Sequence, residues 1–210
     1  MSVEGVSDAS GVFEVPETEE YKIRPEEKYF SKEFTVLKNN WPVAVISTNR
    51  YAYSFFRFFD WRMHFTVVDT QTGREIVHAV KNYGLLSFQG LWNLSFLGLF
   101  RPHTLADFDL YDGEGNYIGF IDGKVLDLSK ARFDFQDSEG NVLAYAREEQ
   151  TQLTIKDSKT DAPLGFMQRK FIIGVEDSWT LTLSPKLDSR IALVFASFIV
   201  QNQSYFLKDV

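Results

Sequence analysis

The chain has 210 residues and a hydrophobic fraction of 44%, with 20 Phe, 9 Tyr and 4 Trp, which is enough bulky apolar surface to fill one large β-domain. A formal net charge of −7 without a basic stripe argues against nucleic-acid binding. The absence of Cys excludes disulfides, thiolate metal sites and a cysteine nucleophile.

Residues 1–20 carry Glu4, Asp8, Glu14, Glu17, Glu19 and Glu20 among few bulky side chains. They are expected to form a solvated acidic tail, with an acidic interaction arm as the alternative. No apolar h-region follows the start, so no secretory leader is expected and the cytoplasm is the expected compartment. From residue 21 to residue 210 the chain reads as a single domain.

A hairpin signature then recurs: two apolar residues two apart, an Asp two further on, and a Gly or Asn that supplies a left-handed turn residue. It reads Phe65, Val67, Asp69, Gly73; then Phe108, Leu110, Asp112, Gly115, Asn116; then Phe133, Phe135, Asp137, Gly140, Asn141; then Leu153, Ile155, Asp157, Asp161. Phe34, Val36, Lys38, Asn39 and Asn40 before Val43 form a degenerate first copy. Outgoing strands follow at 117–121, 142–146 and 164–167, and the flanking period of two belongs to strands with one wet and one dry face. The copies start about 43, 25 and 20 residues apart, so this is a meander of unequal hairpins and not a fixed-period solenoid.

Two aromatic stretches interrupt the pattern, 51–61 and 85–100. Gly84, Gly90 and Gly98 with several Ser, Asn and Gln break any helix in the second, and open backbone is not satisfied in lipid. Both read as core strands and connecting loop; the alternative is an exposed patch that meets a membrane or a partner.

The chain ends in a segment without a polar stripe, in which Ile191, Leu193, Val194, Phe195, Phe198 and Ile199 cover every face of a helix. Its apolar run from Ile191 to Val200 falls short of the roughly 20 residues needed to span a bilayer, so enclosure by the protein's own strands is expected and no transmembrane span. Ser184 before Pro185 is the expected N-cap. A closed antiparallel barrel removes both sheet edges, and about 12 strands give an interior wide enough to need a filler. The expected fold is therefore mainly β, a closed antiparallel barrel of about 12 strands around a buried hydrophobic C-terminal α-helix.

Candidate chemistry is sparse. Asp112, Glu114 and Asn116, and again Asp137, Glu139 and Asn141, alternate like the start of a calcium loop, but strands flank them and the distal bidentate Glu is missing, so turn chemistry is the expectation. In simple register His64 and His78 would face each other across their hairpin; without a third ligand they read as a solvent-facing or hydrogen-bonded pair. No phosphate loop, nucleophile elbow or Ser-His-Asp grouping is present, and Glu148 and Glu149 read as an exposed turn, so no enzyme is expected. Lys124, Lys130, Arg132, Arg169 and Lys170 are the cations available to an anionic lipid headgroup.

From about Phe108 to Phe206 the order of features resembles the tubby C-terminal-like superfamily, in particular phospholipid scramblases and the plant LURP-one-related proteins. The resemblance rests on the strand Pro163 to Phe166, the strand Trp179 to Leu183, Leu187 and Asp188, and the apolar helix running to Phe206. Tyr21, Ile23, Tyr29 and Phe30 are more loosely similar to that group's opening strands. The resemblance implies a barrel around the C-terminal helix and a non-catalytic binding module for phospholipid headgroups, with a protein-binding scaffold or signalling domain as the alternative. Scramblases carry an acidic calcium-associated segment before the helix; here Lys186 interrupts it and one residue is missing between Pro185 and Leu187, so no cofactor is expected, with calcium as the alternative that the resemblance leaves open. Their lipidated cysteines have no counterpart, so palmitate anchoring is excluded. The implied partners are an anionic phospholipid at a membrane surface or a protein.

Overall fold

The computed structural model describes residues 18–27, 31–49, 62–82, 107–123, 131–149, 152–170 and 178–201. In chain order the strands are β1 (Glu19–Glu27), β2 (Ser31–Lys38), β3 (Trp41–Asn49), β4 (Arg62–Asp69), β5 (Glu75–Asn82) and β6 (Phe108–Asp112). They continue as β7 (Tyr117–Gly123), β8 (Arg132–Asp137), β9 (Val142–Glu148), β10 (Leu153–Asp157), β11 (Pro163–Lys170) and β12 (Ser178–Leu183), followed by the helix α1 (Ser189–Gln201). Every strand is antiparallel to its sequence neighbours, and β1 closes on β12 with Glu19 opposite Leu183 and Ile23 opposite Trp179. The fold is thus the expected twelve-stranded closed antiparallel barrel with an apolar C-terminal helix, and closure leaves no open edge. Residues 1–17 and the aromatic stretches 51–61 and 85–100 lie outside the described residues, while Glu19 and Glu20, expected in the tail, already pair in β1.

The repeated hairpin is structural as well as textual. A β-bulge falls at the same place in each copy, just after the second apolar residue: Val36/Leu37, Val67/Val68, Leu110/Tyr111, Phe135/Gln136 and Ile155/Lys156. Bulges sharpen strand twist and bend, which a sheet needs in order to close on itself. Opposite the bulged positions stand small or β-branched residues: Ala44, Val77, Gly119, Ala144 and Gly165. At two of them no side chain fits, since a Cβ on Gly119 would sit 2.2 Å from the Gln136 carbonyl oxygen and one on Gly165 2.3 Å from that of Thr182.

The turns come in three chemistries. Asn39 and Asn40 both hold positive φ, the two-residue hairpin geometry that matches strand twist. Asp69 and Asp157 each accept backbone N–H bonds two and three residues on and the hydroxyl of Thr72 or Thr160. Asp112 and Asp137 accept from the amides two and four residues on and from the side-chain amide of Asn116 or Asn141.

Inward-facing residues and the helix form one core. Ile191 to Val200 are all buried. Phe195 packs edge-on against Phe133 and Phe135 at 5.1 and 5.2 Å between ring centroids, and Phe198 against Phe108 and Phe133 at 5.3 and 6.0 Å. Ser197, the polar residue in that run, donates its hydroxyl to the Leu193 carbonyl at 2.6 Å, so the buried hydroxyl is satisfied within the helix. The helix starts later than expected. Ser184 to Leu187 form a tight turn, with the Leu187 N–H donating to the Ser184 carbonyl, and the cap is Asp188, whose carboxylate accepts the Arg190 N–H at 2.9 Å. A proline favours a first helical position, but here it is spent on the reversal that turns the chain from β12 into the barrel.

Candidate functional site

The barrel has two unlike ends. The tight turns 39–40, 70–74, 113–116, 138–141 and 158–162 gather at one, together with the entry to α1. At the other lie the free ends of the hairpins, including Asn49 and Arg62, which bracket stretch 51–61, and Asn82 and Asp107, which bracket stretch 85–100.

Of the five sequence-predicted cations, Arg132, Arg169 and Lys170 lie on strand ends at this second end, and the structure does not join Arg132 and Arg169 into one cluster. Lys124 follows the end of β7 and Lys130 precedes β8, both outside the described residues. Arg132 lies on the outer face of β8; its Nε donates to the Asp134 carboxylate at 3.0 Å and its guanidinium sits 4.5 Å from the centre of the Tyr145 ring. Arg169 opposes Trp179 on the inner-facing side of β11, in phase with Met167, and Lys170 ends that strand. Arg132 and Arg169 therefore point to opposite faces of the sheet, with two strands between theirs.

The calcium-like turns hold their carboxylates in local bonds. Asn116 and Asn141 donate their side-chain N–H groups to Asp112 and Asp137. These bonds hold both carboxyls below the ordinary 3.8, led by the side-chain bond from Asn116 or Asn141. Glu114 and Glu139 are exposed, and among the described residues no three His, Asp or Glu side chains converge.

His64 and His78 do meet, though not by the expected register. The Val67/Val68 bulge shifts the hairpin so that His64 pairs with Val80 and His78 with Thr66, which makes the histidines diagonal neighbours on the outer face. Nδ1 of His64 lies 2.9 Å from Nε2 of His78, and Nδ1 of His78 lies 3.3 Å from the Thr66 hydroxyl and 3.8 Å from a Glu75 carboxylate oxygen.

Sequence reasoning missed Lys81. Its ammonium is buried inside the second end, 5.3 Å from the centre of the Phe108 ring and 5.1 Å from that of Phe198. Desolvation pushes its pKa down to about 7, partly opposed by the Asp107 carboxylate, whose Oδ1 also accepts the Gly123 N–H at 3.2 Å. The signal was in the alternation: Val77, Ala79 and Lys81 share one phase of β5, and that phase faces inward.

Comparison with protein-family models, with curated proteins and with solved structures returned no match.

Proposed function

We propose that this barrel is a non-catalytic binding module of the scramblase and LURP-one-related type that meets anionic phospholipid headgroups with the end opposite its tight turns. The observation that supports this reading is the division of the chain between the two ends. The strand ends flanking both aromatic stretches lie at one end with Arg132, Arg169 and Lys170, whereas the turn carboxylates Asp112, Glu114, Asp137, Glu139, Asp157 and Asp161 lie at the other, beside Lys38, Arg74 and Lys159. In this reading a negatively charged surface meets the cations of the first end, which also carries Glu148 and Glu149. Each Lys or Arg near such a surface contributes about 1 kcal/mol, and aromatic rings favour the headgroup layer.

Because Arg132 is already engaged by Asp134 and Tyr145, the electrostatic weight in this reading falls on Lys124, Lys130 and Lys170. Contact is peripheral: among the described residues no helix is long and apolar enough to cross a membrane. The outer faces of the strands mix Lys22, Thr35, His64, Thr66, His78 and Gln136 with Val45, Val80 and Phe120, so they do not form the continuous apolar outer band of a barrel embedded in lipid. Vesicle flotation tests the reading. Association is expected with phosphatidylserine or phosphoinositide vesicles and not with phosphatidylcholine alone, weakening with salt and with K124E/K130E/K170E. No association under any of these conditions removes lipid recognition and leaves a protein-binding scaffold.

A further inference from the structure

We infer that His64 and His78 form a binding site for a divalent late transition metal, copper(II) above nickel(II) and zinc(II), on the outer face of the β4–β5 hairpin. Two imidazole nitrogens lie 2.9 Å apart. On a square-planar ion, adjacent nitrogens with bonds of about 2.0 Å lie about 2.8 Å apart, and on a tetrahedral zinc about 3.3 Å apart. The existing separation is close to the square-planar value, and the rings must turn so that both lone pairs meet off the line between the nitrogens, while zinc requires them also to open slightly. Late transition metals prefer imidazole, and copper(II) has the highest affinity of the series.

The other nitrogen of His78 is already placed as in a metal-bound imidazole. With Nδ1 beside the Thr66 hydroxyl at 3.3 Å and the Glu75 carboxylate at 3.8 Å, the His78 tautomer that carries its proton on Nδ1 turns the lone pair of Nε2 toward His64. With His78 in that tautomer, His64 donates Nδ1–H to the lone pair without metal, and offers Nδ1 to the ion when its proton is carried on Nε2. Both rings stand on paired strands held by the ladder from Arg62 opposite Asn82 to Val67 opposite Val77, so two donors are preorganised without refolding. Both side chains are half-buried, which leaves one side open for water to complete the coordination.

Copper(II) titration of the full chain at neutral pH, read by electron paramagnetic resonance, tests the site. One equivalent is expected, with superhyperfine coupling to imidazole nitrogen. His64→Ala and His78→Ala each reduce that coupling and weaken binding at least about tenfold, and Thr66→Val gives a smaller loss. His103→Ala changes neither. Because both rings lie on the outer face, the variants are expected to keep the wild-type melting temperature without metal, which separates a lost ligand from a lost fold. Copper bound with equal strength and an unchanged spectrum in both histidine variants overturns the inference, as does a wild-type spectrum without nitrogen coupling. Neither result bears on lipid recognition, which uses the barrel end.

Discussion

The two ends of the barrel settle their polar groups in different ways. At the turn end each hairpin closes within a few residues, and the carboxylates of Asp69, Asp112, Asp137 and Asp157 are occupied by amides of their own turn. At the other end polar groups reach inward among aromatics: Lys81 between Phe108 and Phe198, and Arg169 in the inward phase beside Trp179. Local satisfaction carries little desolvation cost and tolerates change. A buried ammonium does not, because its solvation must be replaced by whatever the fold places around it.

Truncation should separate the ends most sharply. Phe198→Ala removes a ring that packs on Phe108 and Phe133 and lies beneath the Lys81 ammonium, and a loss of about 3–5 kcal/mol in denaturant unfolding is expected. Trp41→Ala at the turn end removes a side chain that is 76% exposed and should change stability by less than about 0.5 kcal/mol. Equal losses would erase the distinction.

Lys81 gives the next largest effect and a pH signature. In the unfolded chain its amine titrates near 10.5, in the folded chain near 7. Between those values unfolding takes up a proton, so wild-type stability gains from this group as pH rises from 7 to about 10.5. In Lys81→Met this contribution vanishes, and the difference between the two unfolding free energies should shrink across that window. A constant difference would mean that the ammonium is solvated in the native state.

Gly119→Ala tests a place where the turn half of the barrel is not tolerant. The added methyl carbon would meet the Gln136 carbonyl oxygen at 2.2 Å, so the β7–β8 ladder must shift, at a cost of roughly 1–3 kcal/mol. An unchanged unfolding midpoint would show that the bulged strand yields freely.

The turn end was legible in sequence because its information is local. Asp112 to Asn116 specify their own bonds within five residues, and the period-two alternation of Phe133 and Phe135 specifies the inner face. The apolar helix was legible for the same reason, since Ile191 to Val200 leave no face for water. What depends on register was not. The bulge that sets His64 diagonal to His78 adds one residue to a hairpin whose turn looks ordinary, and the Ser184 and Pro185 pair fits a helix start as well as a reversal. Arg132 and Arg169 were grouped by charge, although their phases relative to Phe133 and Met167 already assign them to opposite faces.

The smallest expected effect lies in the turn carboxylates and appears on the acid side. Asp137 is held below 3.8 by the Asn141 side chain first and then by the amides of Asn141, Glu139 and Gly140, and Asp112 has the same arrangement with Asn116. A carboxyl depressed in the native state stabilises it above its unfolded value, and that contribution is lost as pH falls through the lowered native value. Asp137→Asn should therefore lower the melting temperature modestly at neutral pH, and the deficit should close as pH is taken below the ordinary carboxyl range, where the wild-type carboxylate is itself protonated. Because this carboxylate is half-buried at the surface, salt should weaken the effect of distant charges and leave the amide bonds to act. A deficit that stays constant down to low pH would show that the Asn side chain disturbs the turn by its shape, and that the charge of Asp137 is not what holds residues 138–141 in place.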